Sequence, residues 1–177
     1  MRSPRDFLPM FQNEPMKFSP GERFSYSNGG YILLGLIIEA VTGQPYPDYV
    51  TANVLQKAGM TDSGFFAMNQ LPARTANGYI NHADGTWRTN IFEIPIIGGA
   101  DGGVFITAPD MSRWWDALFA HQLLGEAMTT TFLTPHVPIS NDADNNRFYG
   151  YGIWMEENAG TIRRYYGVGA DPGVSFS

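Results

Sequence analysis

The 177-residue sequence contains no cysteine. Disulfides, thiolate nucleophiles and cysteine-ligated metals are therefore excluded, although the cellular compartment stays open. Positive charge is also scarce. The formal net charge is -6, and the one basic pair, Arg163-Arg164, lies in strand-like sequence, where a solvated sheet edge is the natural reading. This argues against a nucleic-acid partner. No long apolar run is present: the longest, over 31–38, ends at Glu39 and is far too short to span a bilayer. The opening "MRSPRDFLPMF" lacks the apolar centre and the small-residue cleavage site of a signal peptide.

What is present is enough for a core. Hydrophobic residues make up 44% and aromatic residues 14% of the chain, consistent with one domain or a large part of one. A first helix is expected to follow "YSN". Asn28 is a candidate cap, Gly29 and Gly30 permit close approach, and Gly43 is a candidate left-handed stop. Its apolar residues lie all round the wheel, which predicts burial on every side. A second helix is expected over 45–58, with Gly59 ending it.

Residues 64–97 read as short strands and loops, with a hairpin turning at Asp84-Gly85. "TAPD" announces a third helix in which Thr107 caps and Asp110 reaches back as in a capping box. "EAMTTTFL" reads as a further short helix. Past the polar loop "SNDADNNR", 149–155 and 161–166 read as a hairpin around Asn158-Ala159-Gly160, and another strand begins at Val174. Helices first and antiparallel strands last predict an α+β fold. The chain divides into a mainly helical part, about 1–140, and a sheet part, about 148–177.

Several features are candidates for chemical sites. His82, His121 and His136 show no ligand spacing, so no metal and no cofactor is expected. "DADNN" alternates acidic and amide groups as a calcium loop does. However, Arg147 stands where that loop needs glycine and Ile153 where it needs glutamate. "GGADGG" (98–103) is not followed by Gly-Lys-Ser/Thr and leads into strand-like "VFIT", so it reads as close backbone packing rather than a phosphate cradle. "GVSFS" lacks the last glycine and the following helix of a nucleophile elbow, which argues against Ser175 as a nucleophile. Tyr26 and Asn28 remain. Taken alone, they are equally a core tyrosine beside a helix cap.

The order of six stretches decides between these readings: "FSPGERFSYSNGGYILLGLIIEAVTGQPYPDYV", "KAGMTDSGF", "ARTANGY", "GGADGGVFITAPDMSRW", "YGYGIWM" and "GVGADPGVSFS". In this combination the chain resembles the β-lactamase-related serine hydrolases, which include class C β-lactamases, penicillin-binding DD-peptidases and esterases. The resemblance implies an antiparallel sheet flanked by helices, with the site in the cleft beside a helical lobe. It implies a Tyr-x-Asn motif at Tyr26 and Asn28, with Tyr26 as base or proton relay and Asn28 as the orienting amide. A free tyrosine titrates near about pH 10, so a phenolate base needs a cation beside it, and in the family a lysine supplies that charge. The third motif falls on Gly167, Val168 and Gly169 as the substrate-binding edge. The backbone N–H of Ala170 would form part of an oxyanion hole.

The chain departs from the family twice. Gly167 stands where a lysine, histidine or tryptophan is usual, so the usual cationic or donor group for a substrate carboxylate is absent. The two lysines, Lys17 and Lys57, are preceded three positions earlier by Glu14 and Val54, so the family's Ser-x-x-Lys is missing. The resemblance thus implies an incomplete domain whose nucleophile lies upstream. The expected substrate is a β-lactam, a D-Ala peptide or an ester, acted on by the parent protein. The isolated chain is expected to be inactive, to expose apolar surface, and to associate with itself or a complementing chain. The alternative is a non-catalytic binding or scaffold module built on the same fold. The family is often extracytoplasmic, but nothing in these residues assigns a location.

Overall fold

A computed structural model of the chain describes residues 3–139 and 146–177. The acidic "DADNN" run therefore falls largely outside the described residues. A short 3-10 helix, Pro4–Met10, leads to α1 (Asn28–Thr42), which packs against it and against α2 (Tyr46–Val50). The α1 cap is Ser27, not the expected Asn28. Ser27 has extended backbone, and its Oγ accepts the Gly30 N–H at 3.0 Å, the geometry that satisfies a free donor of the first turn. Asn28 is the first helical residue. Gly43 ends the helix with φ 69°, as expected.

The predicted all-round burial of α1 is not observed. Ile32 and Gly35 are buried, whereas Leu33, Leu34, Ile37 and Val41 are exposed. The buried face is held close by Gly35: a Cβ there would lie 2.6 Å from the Ala100 Cβ and 3.5 Å from the Tyr46 ring. No described element covers the opposite face, so its apolar side chains meet solvent.

The second helix is shorter than expected. After α2 the chain widens into a π-helical turn, Thr51–Leu55, in which the Gln56 N–H donates to Thr51 O at 2.9 Å, before Gly59 stops it at φ 69°. Glu39 ties the start of α2 to α1 by accepting the Tyr46 N–H at 2.9 Å. The wide turn brings Leu55 into the core with Ala58, Met60 and Ala117, and Trp114 and Leu123 pack against them.

The expected hairpin forms from β1 (Tyr79–Asn81) and β2 (Trp87–Thr89), with Gly85 at φ 84°. "VFIT" makes no strand. Phe105 alone bridges Gly64, through paired backbone bonds of 2.9 Å. The glycine loop before it is closed so tightly that a Cβ on Gly98 would lie 2.3 Å from Gly103 O, which supports the reading of close backbone packing.

Helix α3 (Ala108–Phe119) is capped by Thr107, which accepts the Asp110 N–H at 3.3 Å. The other half of the expected box is replaced. Fully buried Asp110 turns to the preceding loop, accepting the Asp62 N–H at 2.8 Å and the Ser63 hydroxyl at 2.7 Å, and it pairs with Arg113. Ser63 Oγ in turn accepts the Thr107 N–H at 3.4 Å.

Helix α4 (Glu126–Phe132) follows, and then an antiparallel sheet in the order β3 (Val137–Pro138), β4 (Arg147–Tyr149), β5 (Trp154–Asn158), β6 (Thr161–Tyr166). The single strand expected over 149–155 is broken between Tyr149 and Trp154. Gly152 adopts φ 94° and the Gly150 N–H donates to Ile153 O at 2.8 Å, closing a turn. The β5–β6 turn sits as expected at Ala159 and Gly160, both with positive φ. On edge strand β6, Arg164 pairs with Glu156 at 2.8 Å. A separate hairpin, β7 (Gly169–Asp171) with β8 (Val174–Phe176), closes the described chain.

Candidate active site

Tyr26 stands immediately before the Ser27 cap, and its side chain is 62% exposed. It lies on the rim of a cleft of about 470 Å³, open on one side. Phe24, Tyr31 and Leu34 line one wall, and Tyr149, Tyr151 and Gly152 line the other. One wall is therefore the entry segment and first turns of α1, and the other is the turn from β4 to β5. Asn28 is exposed at the helix start and is not among the lining residues.

The two walls are tied together by polar and aromatic contacts. The Tyr31 and Tyr149 hydroxyls hydrogen-bond to one another across the cleft. Burial, that hydrogen bond, and the neighbouring phenols of Tyr31 and Tyr26 raise the Tyr149 pKa well above the usual tyrosine range, so Tyr149 stays a neutral donor or acceptor. Around it the rings form a chain. Phe24 meets Tyr149 at 5.5 Å and Trp154 at 5.8 Å, and Trp154 stacks on Tyr166 at 6.3 Å. Tyr166 directly precedes Gly167. The segment holding Tyr26 and the end of β6 are thus positioned by one aromatic cluster.

Gly167, Val168, Gly169 and Ala170 do not line the cleft. Gly167 has open space around it: nothing lies within 4 Å of where its Cβ would be. The missing side chain is therefore not imposed by packing. At Gly169 the cross-strand partner Phe176 places a ring 2.3 Å from where a Cβ would stand. Its glycine accommodates that ring. Ala170 pairs with Ser175, one step from the Asp171–Val174 pair that flanks the Pro172-Gly173 turn. Pairs flanking a two-residue turn are hydrogen-bonded, and the next pair is not. The Ala170 N–H therefore points away from β8, along an edge that no described strand occupies. Beside this hairpin, at the tip of the glycine loop, burial raises the Asp101 pKa and the charge of Asp171 adds to the shift.

Reading from the sequence missed Tyr31, Tyr149 and Asn90. The first two sit inside quoted motif stretches, and their phenols were the available signal. Asn90 is 5% exposed, and its amide donates to Pro172 O at 3.0 Å. Nothing in the local pattern marks it.

Comparison with known proteins gives a consistent answer. A penicillin-binding protein from Bacillus halodurans has a solved structure that superposes with a TM-score of 0.94 at 51% identity, covering 99% of this chain and 53% of that one. An octameric penicillin-binding protein homologue from Pyrococcus abyssi superposes with a TM-score of 0.77 at 26% identity, covering 90% and 37%. Penicillin-binding protein 4* of Bacillus subtilis (strain 168) is 29% identical, with 88% of this chain and 36% of the relative covered. The chain thus spans about half or less of the length of the relatives it matches. Among the described residues no helix is long and apolar enough to cross a membrane. The β-lactamase family model matches residues 1–175, and the chain belongs to that family.

Proposed function

We propose that this chain is the part of a serine hydrolase that supplies the Tyr-x-Asn motif and the oxyanion strand, and that the whole protein acts through an acyl-serine intermediate. The substrate is a β-lactam, a D-Ala peptide or an ester. The observation that carries this reading is the position of Tyr26, whose phenol stands at the cleft rim directly before α1. In the reaction, the Tyr26 oxygen takes the proton from the serine hydroxyl as the serine oxygen bonds to the substrate carbonyl carbon. The Ala170 N–H donates to the resulting oxyanion. The leaving group departs with the proton returned from Tyr26, and water repeats the cycle to free the serine. Asn28 orients the substrate from the start of α1, and Gly167, Val168 and Gly169 form the edge along which substrate lies.

No serine in these 177 residues is followed at the third position by lysine, so the nucleophile comes from outside them and the isolated chain forms no covalent adduct. The uncovered apolar side chains of α1 fit a surface that meets further protein, and the octameric homologue supports association as one form of it. Labelling with a fluorescent penicillin and a fluorophosphonate tests the proposal. The whole protein is expected to label, and Tyr26→Phe is expected to slow labelling by about 10²–10⁴-fold. An adduct on the isolated chain would overturn the claim of inactivity. A second reading, a non-catalytic module, is favoured by the missing side chain at Gly167. Failure of the whole protein to label would establish it over the first.

A further inference from the structure

We infer that Asn90 is a positioning residue of the oxyanion strand: its buried amide fastens the β7–β8 turn to the β1–β2 hairpin and so sets where the Ala170 N–H points. The inference rests on the hydrolase reading above. Asn90 immediately follows β2 and is held on both sides by its own backbone. Its N–H donates to Gly78 O at 3.0 Å and its carbonyl accepts the Glu93 N–H at 2.9 Å. The backbone is thus held in place, and the side-chain amide donates to Pro172 O at 3.0 Å, across 82 positions of sequence.

Two glycines make the contact possible. A Cβ on Gly78 would lie 2.3 Å from Asn90 Nδ2, so the amide occupies the space that a side chain would fill. Gly173 has φ +80°, and a Cβ there would lie 2.7 Å from Tyr79 N and 2.8 Å from Tyr79 O. The turn backbone therefore rests directly on the start of β1. The hairpin grips the turn by one hydrogen bond and one backbone contact.

This grip matters because, among the described residues, no strand pairs with the other edge of β7. The β7–β8 sheet has two strands among the described residues, and the Ala170 N–H faces the empty edge. Ala170 lies two residues before Pro172, so a tilt of the turn swings that N–H. An oxyanion donor works only within about 2.7–3.1 Å of the developing charge, and a misplacement of about 1 Å costs on the order of 10²-fold in rate.

The test uses the whole protein and two variants. Asn90→Asp keeps the shape but sets a carboxylate oxygen against Pro172 O, and Asn90→Ala simply removes the donor. Acylation by a chromogenic penicillin or a nitrophenyl ester is expected to fall about 10- to 100-fold, part of what loss of a whole donor costs. KM is expected to change less than about threefold, because the donor acts on the transition state. Affinity for an arylboronic acid, which binds as a tetrahedral adduct, is expected to fall in step with kcat. A merely stabilising residue would lower Tm and leave both quantities unchanged. If Asn90→Asp does not fold, the milder Asn90→Ala carries the test. A wild type that labels beside folded variants that acylate equally fast overturns the inference alone. A wild type that forms no adduct overturns the hydrolase reading and the inference with it.

Discussion

Tyr31 and Tyr149 lie 118 positions apart, and their hydroxyls hydrogen-bond to one another. One phenol belongs to the first turn of α1 and the other ends β4, so this contact joins the helical part of the chain to the sheet. It also forms part of the cleft beside Tyr26.

Replacing Tyr149 by phenylalanine leaves the Tyr31 hydroxyl without this partner. The expected cost is about 1 kcal/mol, or about 2–4 °C in Tm for a chain of this size. Thermal denaturation of Tyr149→Phe, Tyr31→Phe and the double variant checks it, and the double variant is expected to lose less than the two single losses added. The raised Tyr149 pKa adds a pH dependence. The folded state holds this proton more tightly than the unfolded state, so its stabilising effect is complete below about pH 10. That effect is lost as pH rises toward and through the Tyr149 pKa. Above about pH 10, Tm is expected to fall more steeply for wild type than for Tyr149→Phe.

Asp110 sets the opposite pH limb. Burial by itself would raise its pKa, but hydrogen bonds from Ser63, the Asp62 N–H and Arg113, with the Arg113 charge, outweigh it and leave the pKa lowered. The stabilisation is therefore present above the unfolded pKa of about 3.9 and is lost as pH falls through the folded value. Asp110→Ala is expected to cost about 2–3 kcal/mol near neutral pH, since it removes charged hydrogen bonds that join α3 to the 62–63 loop. Urea denaturation from about pH 6 down to about pH 2 would show the acid dependence shrinking in the variant. An unchanged slope would contradict the assignment.

Gly167→Lys should fold as well as wild type, within about 0.5 kcal/mol, because a Cβ there would meet nothing within 4 Å and opens onto free space. In the whole protein it places a cation on the proposed substrate edge. KM for a substrate bearing a free carboxylate is expected to fall, while KM for a neutral ester stays unchanged. Steady-state kinetics on the matched pair of substrates decides this.

Much of the architecture is written locally. Gly43 and Gly59 end their helices at positive φ, and Thr107 caps α3. The hairpins turn at Gly85 and at Ala159-Gly160. In each case the stereochemistry of one or two residues selects the backbone, so neighbouring sequence suffices. The ordered motifs likewise identified the family and placed Tyr26 before α1.

Other features depended on distant partners. Ser27 rather than Asn28 caps α1, since both residue types suit the position and only the chain path picks one. Asp110 left its local box because Ser63 and Asp62 were within reach. The apolar residues of α1 predicted burial, yet burial needs a covering element, and only one face has one among the described residues. The Tyr31–Tyr149 and Asn90–Pro172 hydrogen bonds obey no spacing rule, because each joins strands or helices whose approach is set by packing. Residue type and short spacing decide where the chain turns and caps. Which side chains meet across the cleft is decided only when the packed elements bring remote polar groups within about 3 Å of one another.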